Sequence, residues 1–337
     1  MIIKTISLNE AGQRFDKYLK KLLKDAPDSF IYKMLRKKNI VLNEKKADGK
    51  EKLCLNDTVK FFLADETFEK FCGKTEIDNL EIALYEQAYQ KLYGLNIVYE
   101  DKNILVVNKP SGVLSQKSKP DEISVNEWLI GYLLFQCCIT QNSLSTFKPS
   151  VCNRLDRNTS GMVVCGKTLA GSQYLSRIIQ DKSLEKYYYC LVSGEITVNE
   201  RVTGYLYKDF LQNKVKVYHR ECEIPESIKK EVVYIDTAFQ TVRTGYNRTL
   251  LEVQLFTGKT HQIRAHLAAL GYPIIGDFKY GDAKMNQIYL QKGVKNQLLH
   301  AHKIVFPVSS CRDFVQLSGK ALECPVPVIF DKLLQEE

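Results

Sequence analysis

The chain has 337 residues, 45% hydrophobic and 26% charged, ordinary values for a globular protein and enough length for two domains. Its net charge of +9 is uneven: residues 1–64 hold 15 basic and 8 acidic residues, a net +7, and the other 273 residues carry only +2. A basic lobe on a nearly neutral body calls for an anionic partner, and the longest apolar stretch, Tyr132–Ile139, is too short to cross a bilayer.

The opening MIIKTISLNEAGQRF lacks an apolar run of signal-peptide length. The ten cysteines include no C-x-x-C pair, and Cys152, Cys165 and Cys190 sit in apolar, strand-like surroundings, as small core hydrophobes do in a reducing compartment. A cytoplasmic protein with no membrane partner is expected.

Phe15, Tyr18, Leu19, Leu22 and Leu23 follow the spacing of a helix with one apolar face, closed by Pro27. Asp28 or Ser29 can cap a second helix that buries Phe30, Ile31, Met34 and Leu35 and turns Lys33, Arg36, Lys37 and Lys38 outward, ending at Asn39. Ile40–Asn43 reads as a strand, Glu44–Lys52 as turns and Asp57–Leu63 as a closing strand. Residues 65–94, with Glu76, Asp78, Glu81 and Glu86, read as a connector, partly helical and without strand pattern.

Ile97–Glu100 and Ile104–Asn108 flank Asp101-Lys102-Asn103 as a hairpin. Further strands are expected at Met162–Cys165, Tyr187–Val192, Lys214–Tyr218, Leu250–Phe256 and Lys303–Phe306, and helices near Val125–Phe135, Leu169–Gln180 and Thr260–Leu270. Strands joined by turns, with helices interspersed irregularly, give an α+β fold with a mixed, largely antiparallel sheet.

Three stretches carry chemistry. In Asn153-Arg154-Leu155-Asp156-Arg157-Asn158-Thr159-Ser160-Gly161 an Asp lies between two Arg just ahead of an apolar strand, an expensive arrangement unless its charges are paired; a plain turn-capping Asp is the bland reading. In Thr257-Gly258-Lys259-Thr260-His261-Gln262-Ile263-Arg264 a strand gives way to a helix whose first turn can meet phosphates or a loop carboxylate. In Lys186-Tyr187-Tyr188-Tyr189 strand alternation sets Tyr188 opposite its two neighbours, so one ring can face a cleft and stack on a base. His261 and His266 as helical i, i+5 residues would not share a face, and His300 with His302 lacks a third ligand at a telling spacing, so no metal site is expected. Gly161–Thr168 matches the phosphate-loop pattern literally, but the residues between its glycines are themselves an apolar strand.

These stretches resemble, in order, the signature motifs of the RluA-type family of RNA pseudouridine synthases: IVYEDKNILVVNKPSGVLSQ, NRLDRNTSG, EKYYYCLVSG and LFTGKTHQIRAHLAALGYPIIGDFKYG, covering residues 95–307. GQRFDKYLKKLL and SFIYKMLRKKNIVLNEKKADGKEKLCLNDTVKF are similar to the αL RNA-binding module of a small-subunit ribosomal protein. The resemblance implies a pseudouridine synthase catalytic domain over 95–337 behind a connector and a 1–64 αL domain. It implies Asp156 as the essential carboxylate, Arg264 as its guanidinium partner, Tyr188 stacking on the base, and Arg154 filling the gap left by an extruded uridine. Arg157, Lys259 and His261, with Arg14, Lys33, Arg36, Lys37 and Lys38, are the expected RNA contacts.

Isomerising uridine needs no redox change or external group, so no cofactor is expected. The expected partner is large-subunit ribosomal RNA, with transfer RNA as the alternative, no DNA, and a monomeric enzyme. Asn153 stands where many family members have His, and Lys259 where many have Arg. The rival from another class is a non-catalytic RNA-binding assembly protein, which would be expected to have lost Asp156, Tyr188 and Arg264. A nucleoside glycosidase would want a second carboxylate beside the motif.

Overall fold

The computed structural model describes residues 1–72, 79–209 and 214–336. Glu76 and Asp78 of the expected connector lie outside the described residues.

The helical spacing at the N-terminus produces the helix Phe15–Leu22, which buries Phe15, Tyr18, Leu19 and Leu22. The second helix is Asp28–Arg36, and its N-cap is Pro27, with no side-chain capping bond. Asp28 is its first helical residue, and its carboxylate takes the ammonium of Lys20 from the first helix. The helix ends at Arg36, three residues before the expected stop at Asn39. Lys38 adopts left-handed backbone (φ 61°), with Lys38 N–H donating to Leu35 and Asn39 N–H to Met34, the pair of reversed bonds that closes many helices.

A four-stranded sheet packs under these helices in the order Ile2–Thr5, Thr58–Phe61, Ile40–Leu42, Lys45–Lys46. Ile2–Thr5, unmarked in the sequence reading, is a short edge strand paired with Thr58–Phe61. The core beneath the sheet, built around Phe15, Leu19, Leu35, Val59 and Phe61, draws, among the described residues, on residues 2–72. The connector contains two helices, Asp65–Cys72 and Asn79–Lys91.

The chain folds as two compact units. The first comprises Met1–Val106, Ser115–Arg154 and Val164–Arg177; the second comprises Val107–Leu114, Leu155–Val163 and Ile178–Glu337. In the first, the helix Val125–Phe135 matches its expected bounds and is capped by Ser124, which accepts from Asn126 N–H.

In the second, strands are hydrogen-bonded in the order Lys214–Tyr218, Asn199–Asp209, Val233–Gly245, Arg248–Leu255, Glu185–Ser193, Leu299–Val305, Ser160–Gly166. Neighbours are antiparallel until the last pair, where His300 lies beside Ser160 in a parallel register. The fold is therefore α+β with a mixed, mostly antiparallel sheet. Two long strands, Asn199–Asp209 and Val233–Gly245, were not legible beforehand. The first is mostly polar and only partly buried, and the second is interrupted by a bulge at Thr241–Arg243 that breaks its alternation.

Candidate active site

The site lies within the second unit and is built by three segments. The first is the loop carrying Asp156. Its tightest turn is Thr159 N–H to Asp156 C=O, and the strand begins at Ser160. The loop is held at several points: Gly112 N–H and Lys109 Nζ both donate to the Arg157 carbonyl, and Ser111 Oγ donates to that of Asn158. Beyond it, Ser160 Oγ lies 2.9 Å from His300 Nδ1. Gly161 (φ 112°) presses so close to the next strand that a Cβ would sit 2.4 Å from Ala301 backbone, so no other residue fits where the loop enters the sheet.

Lys109 is fully buried and donates to three carbonyls, of Pro110, Val113 and Arg157, at 3.0, 2.8 and 3.0 Å. Burial pushes its amine down to about 7, against the pull of the Asp156 charge. The sequence reading passed over it; a lysine at the end of the run Ile104–Val107 was the available signal, since a buried ammonium must have a built cage.

The second segment is the helix Gln262–Ala269. It begins at Gln262, two residues beyond Thr260, and His261 is its N-cap in left-handed backbone (φ 55°). The helical angle between His261 and His266 therefore does not apply; His266 turns instead to Thr237 Oγ1, 3.2 Å away. The entry is fixed by buried Gln262, whose Oε1 accepts from Lys259 N–H and whose Nε2 donates to Asp236 C=O and Thr237 Oγ1. Two residues on, Arg264 points back to the loop: Nη1 donates to Asp156 Oδ2 at 2.7 Å.

The third segment is the turn Ile274–Gly281. Asp277, fully buried, receives Arg264 Nε and Nη2 at 2.7 and 2.9 Å, and its Oδ1 also accepts from the N–H groups of Lys279 and Tyr280. Burial alone would raise the Asp277 carboxyl, but the bonds and charge of Arg264 and the two backbone donors hold it below its ordinary value. Burial would likewise lower the Arg264 guanidinium, and the two carboxylates hold it higher still. Tyr280 sits with its ring 5.2 Å from the guanidinium and its hydroxyl 2.8 Å from His261 Nδ1. Sequence reasoning missed Asp277 and Tyr280 as site residues, although both stand within the quoted GDFKYG.

Asp156 Oδ2 thus faces Arg264 at 2.7 Å and His261 Nε2 at 3.8 Å, while Oδ1 has no partner among the described residues; the side chain is 28% exposed. Tyr188 is buried, and burial together with the Asp156 charge pushes its phenol up, so it stays protonated. Its hydroxyl has no hydrogen-bond partner among the described residues, and the alternation expected for the three tyrosines holds, with Tyr187 and Tyr189 half-buried. A carboxylate held on one oxygen and open on the other, beside a protonated phenol, can attack or deprotonate a bound sugar while a ring lies against its base.

Of the expected RNA contacts, Arg154, Arg157 and Lys259 are exposed. Lys33, Arg36, Lys37 and Lys38 are exposed and pair with no carboxylate among the described residues, whereas Arg14 is taken up by a two-point bond to Asp16. Asn153 Oδ1 accepts from Val164 N–H. The phosphate-loop match is a strand, Ser160–Gly166, buried along its whole length. Among the described residues no three His, Cys, Asp or Glu are grouped to hold a metal; His300 lies against Ser160 and Cys324, and His302 against Glu252.

The family described as RNA pseudouridylate synthase matches residues 103–269, the span that carries Asp156, Tyr188 and Arg264. A Vibrio vulnificus protein named ribosomal large subunit pseudouridine synthase C is 30% identical over 88% of this chain and 85% of its own. This chain belongs to the RNA pseudouridine synthases. A Mycoplasma capricolum protein described as an uncharacterized RNA pseudouridine synthase is 32% identical over 85% of this chain and 88% of its own. The solved structure of human RNA pseudouridylate synthase domain containing 4 shares the fold, with a TM-score of 0.54 at 19% identity over 75% of this chain and 95% of that one. The synthase is accordingly an isomerase acting on RNA, of the RluA type that its four ordered motifs resemble.

Proposed function

We propose that this synthase isomerises uridines in large-subunit ribosomal RNA, with Asp156 as the reacting carboxylate. The observation that carries the reading is the one-sided grip on that carboxylate: Arg264 takes Oδ2 and leaves Oδ1 open. In the reaction the bond between ribose C1′ and ring N1 breaks, the base turns, and C1′ joins C5. The proton on C5 leaves and N1 gains one. Nothing is oxidised or reduced.

Asp156 acts on the ribose through Oδ1, and the charge-assisted bond from Arg264, worth about 1.5–3 kcal/mol, keeps the carboxylate oriented. Tyr188 lies against the detached base with a hydroxyl free to donate. Arg154 fills the space of the extruded nucleotide, an extrusion that costs a few kcal/mol in the duplex. Residues 1–64 form an RNA-binding domain whose exposed Lys33, Arg36, Lys37 and Lys38 meet phosphates, joined through 65–94 to a catalytic domain; Arg157 and Lys259 add backbone contacts beside the site. The name of the Vibrio vulnificus relative supports large-subunit rRNA as the substrate class.

Mapping pseudouridines in total RNA from cells with and without the gene tests the substrate; sites lost only from transfer RNA would overturn it. Adding back Asp156→Asn tests the carboxylate: the variant leaves the missing sites unmodified while binding RNA within a few-fold of wild type, and restored modification would remove Asp156 from its role.

A further inference from the structure

The His261 side chain was expected to meet RNA, yet it is only 15% exposed, is hydrogen-bonded at Nδ1 and turns Nε2 toward a second group of the site. Its Nδ1 lies 2.8 Å from the Tyr280 hydroxyl, and its Nε2 lies 3.8 Å from Asp156 Oδ2, the oxygen that Arg264 already holds. The Tyr280 hydroxyl accepts from Val215 N–H at 3.0 Å, so its own proton is directed to His261 Nδ1. An imidazole that accepts at Nδ1 carries its proton on Nε2, facing the carboxylate. The 3.8 Å gap is longer than a hydrogen bond, as such contacts commonly are before substrate closes a site. His261 also holds left-handed backbone (φ 55°), an arrangement uncommon for a non-glycine residue and found where surrounding structure imposes it.

We propose that His261 is a positioning residue for Asp156, its Nε2–H fixed by Tyr280 and aimed at Oδ2, so that the carboxylate keeps Oδ1 turned to the ribose only while the ring is neutral. The proposal rests on the reading of Asp156 as the reacting group. The charged and titratable groups around the ring are Asp156 on the loop, Arg264 on the helix, and Lys279, Asp277 and Tyr280 on the turn. Desolvation lowers the ring's affinity for a proton; Asp156 and Asp277 pull the other way, Arg264 and Lys279 reinforce the desolvation, and the net shift is downward. At neutral pH the ring is therefore uncharged. Protonation in acid puts a proton on Nδ1, which then cannot accept from Tyr280, and sets a full positive charge against the reacting carboxylate. Turnover accordingly falls as pH drops through a value below the ordinary imidazole range.

The test uses full-length enzyme under single-turnover conditions across pH, with RNA affinity and thermal stability measured alongside. In His261→Gln the side-chain amide reaches the place of Nε2 and does not titrate. In His261→Asn the amide reaches only the place of Nδ1, while Asn tolerates left-handed backbone well, so folding is not in question. The expected result is that Gln keeps the neutral-pH rate within about threefold and loses the wild-type fall in acid. Asn loses about 100-fold with RNA affinity unchanged. Equal loss in both variants, an acid fall that persists unchanged in Gln, or weaker RNA binding as the main effect of either would overturn the proposal; the last would return His261 to phosphate contact. Asp156→Asn, assayed in parallel, separates the two readings: if it is inactive while His261→Gln keeps the acid fall, only the role of His261 fails.

Discussion

Arg264 grips two carboxylates at once, presenting Nη1 to Asp156 and its Nε–Nη2 edge to Asp277. The second grip makes the first directional: with three guanidinium positions fixed by two acids, the planar group cannot swing away from the loop. Asp277→Ala should therefore lower the single-turnover rate by about 100-fold, with RNA affinity preserved, because Arg264 loses its aim but Asp156 remains. The same change should cost about 1–3 kcal/mol of stability, since Arg264 keeps Asp156 but its Nε–Nη2 edge and the N–H groups of Lys279 and Tyr280 lose their buried acceptor. The Asp277 carboxyl is held below its ordinary value, so its stabilisation is present above the ordinary carboxylate pKa and fades as pH falls through the lowered one. Denaturant unfolding of wild type and Asp277→Ala at neutral and acid pH measures both effects; a difference independent of pH in acid would refute the linkage.

Lys109 supplies a pH signature of the same sign in a higher window. Its amine is pushed down to about 7 in the folded protein, while an unfolded lysine titrates near about 10.4. Between those values the folded state binds fewer protons than the unfolded chain, so stability rises with pH across that window and is flat below it. Lys109→Met removes this contribution, and the stability difference between variant and wild type should change with pH from 7 to 10 and be constant below 7. It also releases the Arg157 carbonyl next to Asp156, so the rate should drop even where the fold holds. Unfolding curves at several pH values paired with single-turnover rates check the two halves separately.

The sequence made the apolar helices and the compact apolar strands plain: Leu169–Gln180, and Val125–Phe135, which is buried on nearly every face, were bounded to the residue. It also named Asp156 and Arg264, 108 positions apart, through the motifs around them, and the fold brings the two within 2.7 Å. What it hid has a common cause. Asp277, Lys109 and Tyr280 do their work through backbone carbonyls, backbone N–H groups and side chains far along the chain, and no local pattern announces such partners. The strand Val233–Gly245 hid for a related reason, since a bulge shifts its alternation midway. The helix start at Gln262 hid because a left-handed His261 is imposed by tertiary contacts with Tyr280, which propensity does not see.

Tyr188 offers a clean separation of ring from hydroxyl. The hydroxyl bonds to nothing among the described residues, so Tyr188→Phe leaves no stranded partner and should leave stability unchanged. If the phenol moves a proton during isomerisation, the Phe variant loses about 100- to 10,000-fold in single-turnover rate. Tyr188→Ala should lose that and weaken retention of the base as well. A Phe variant that turns over at the wild-type rate would confine Tyr188 to stacking.

Arg36, Lys37 and Lys38 stand exposed at the end of the second helix with no carboxylate partner among the described residues, so their charges face solvent and any polyanion. Each phosphate a cation neutralises steepens the fall of log affinity with log salt by about 0.7–0.9. Changing all three to Gln should flatten that slope by about 2–3 and weaken binding most at low salt, while the rate on saturating RNA stays near wild type because Asp156 is untouched. The substitutions replace exposed side chains and leave the buried face of the helix, Ile31, Met34 and Leu35, intact. Binding isotherms from low to high salt for both proteins decide the matter: parallel salt plots would mean that the basic helix faces something other than RNA.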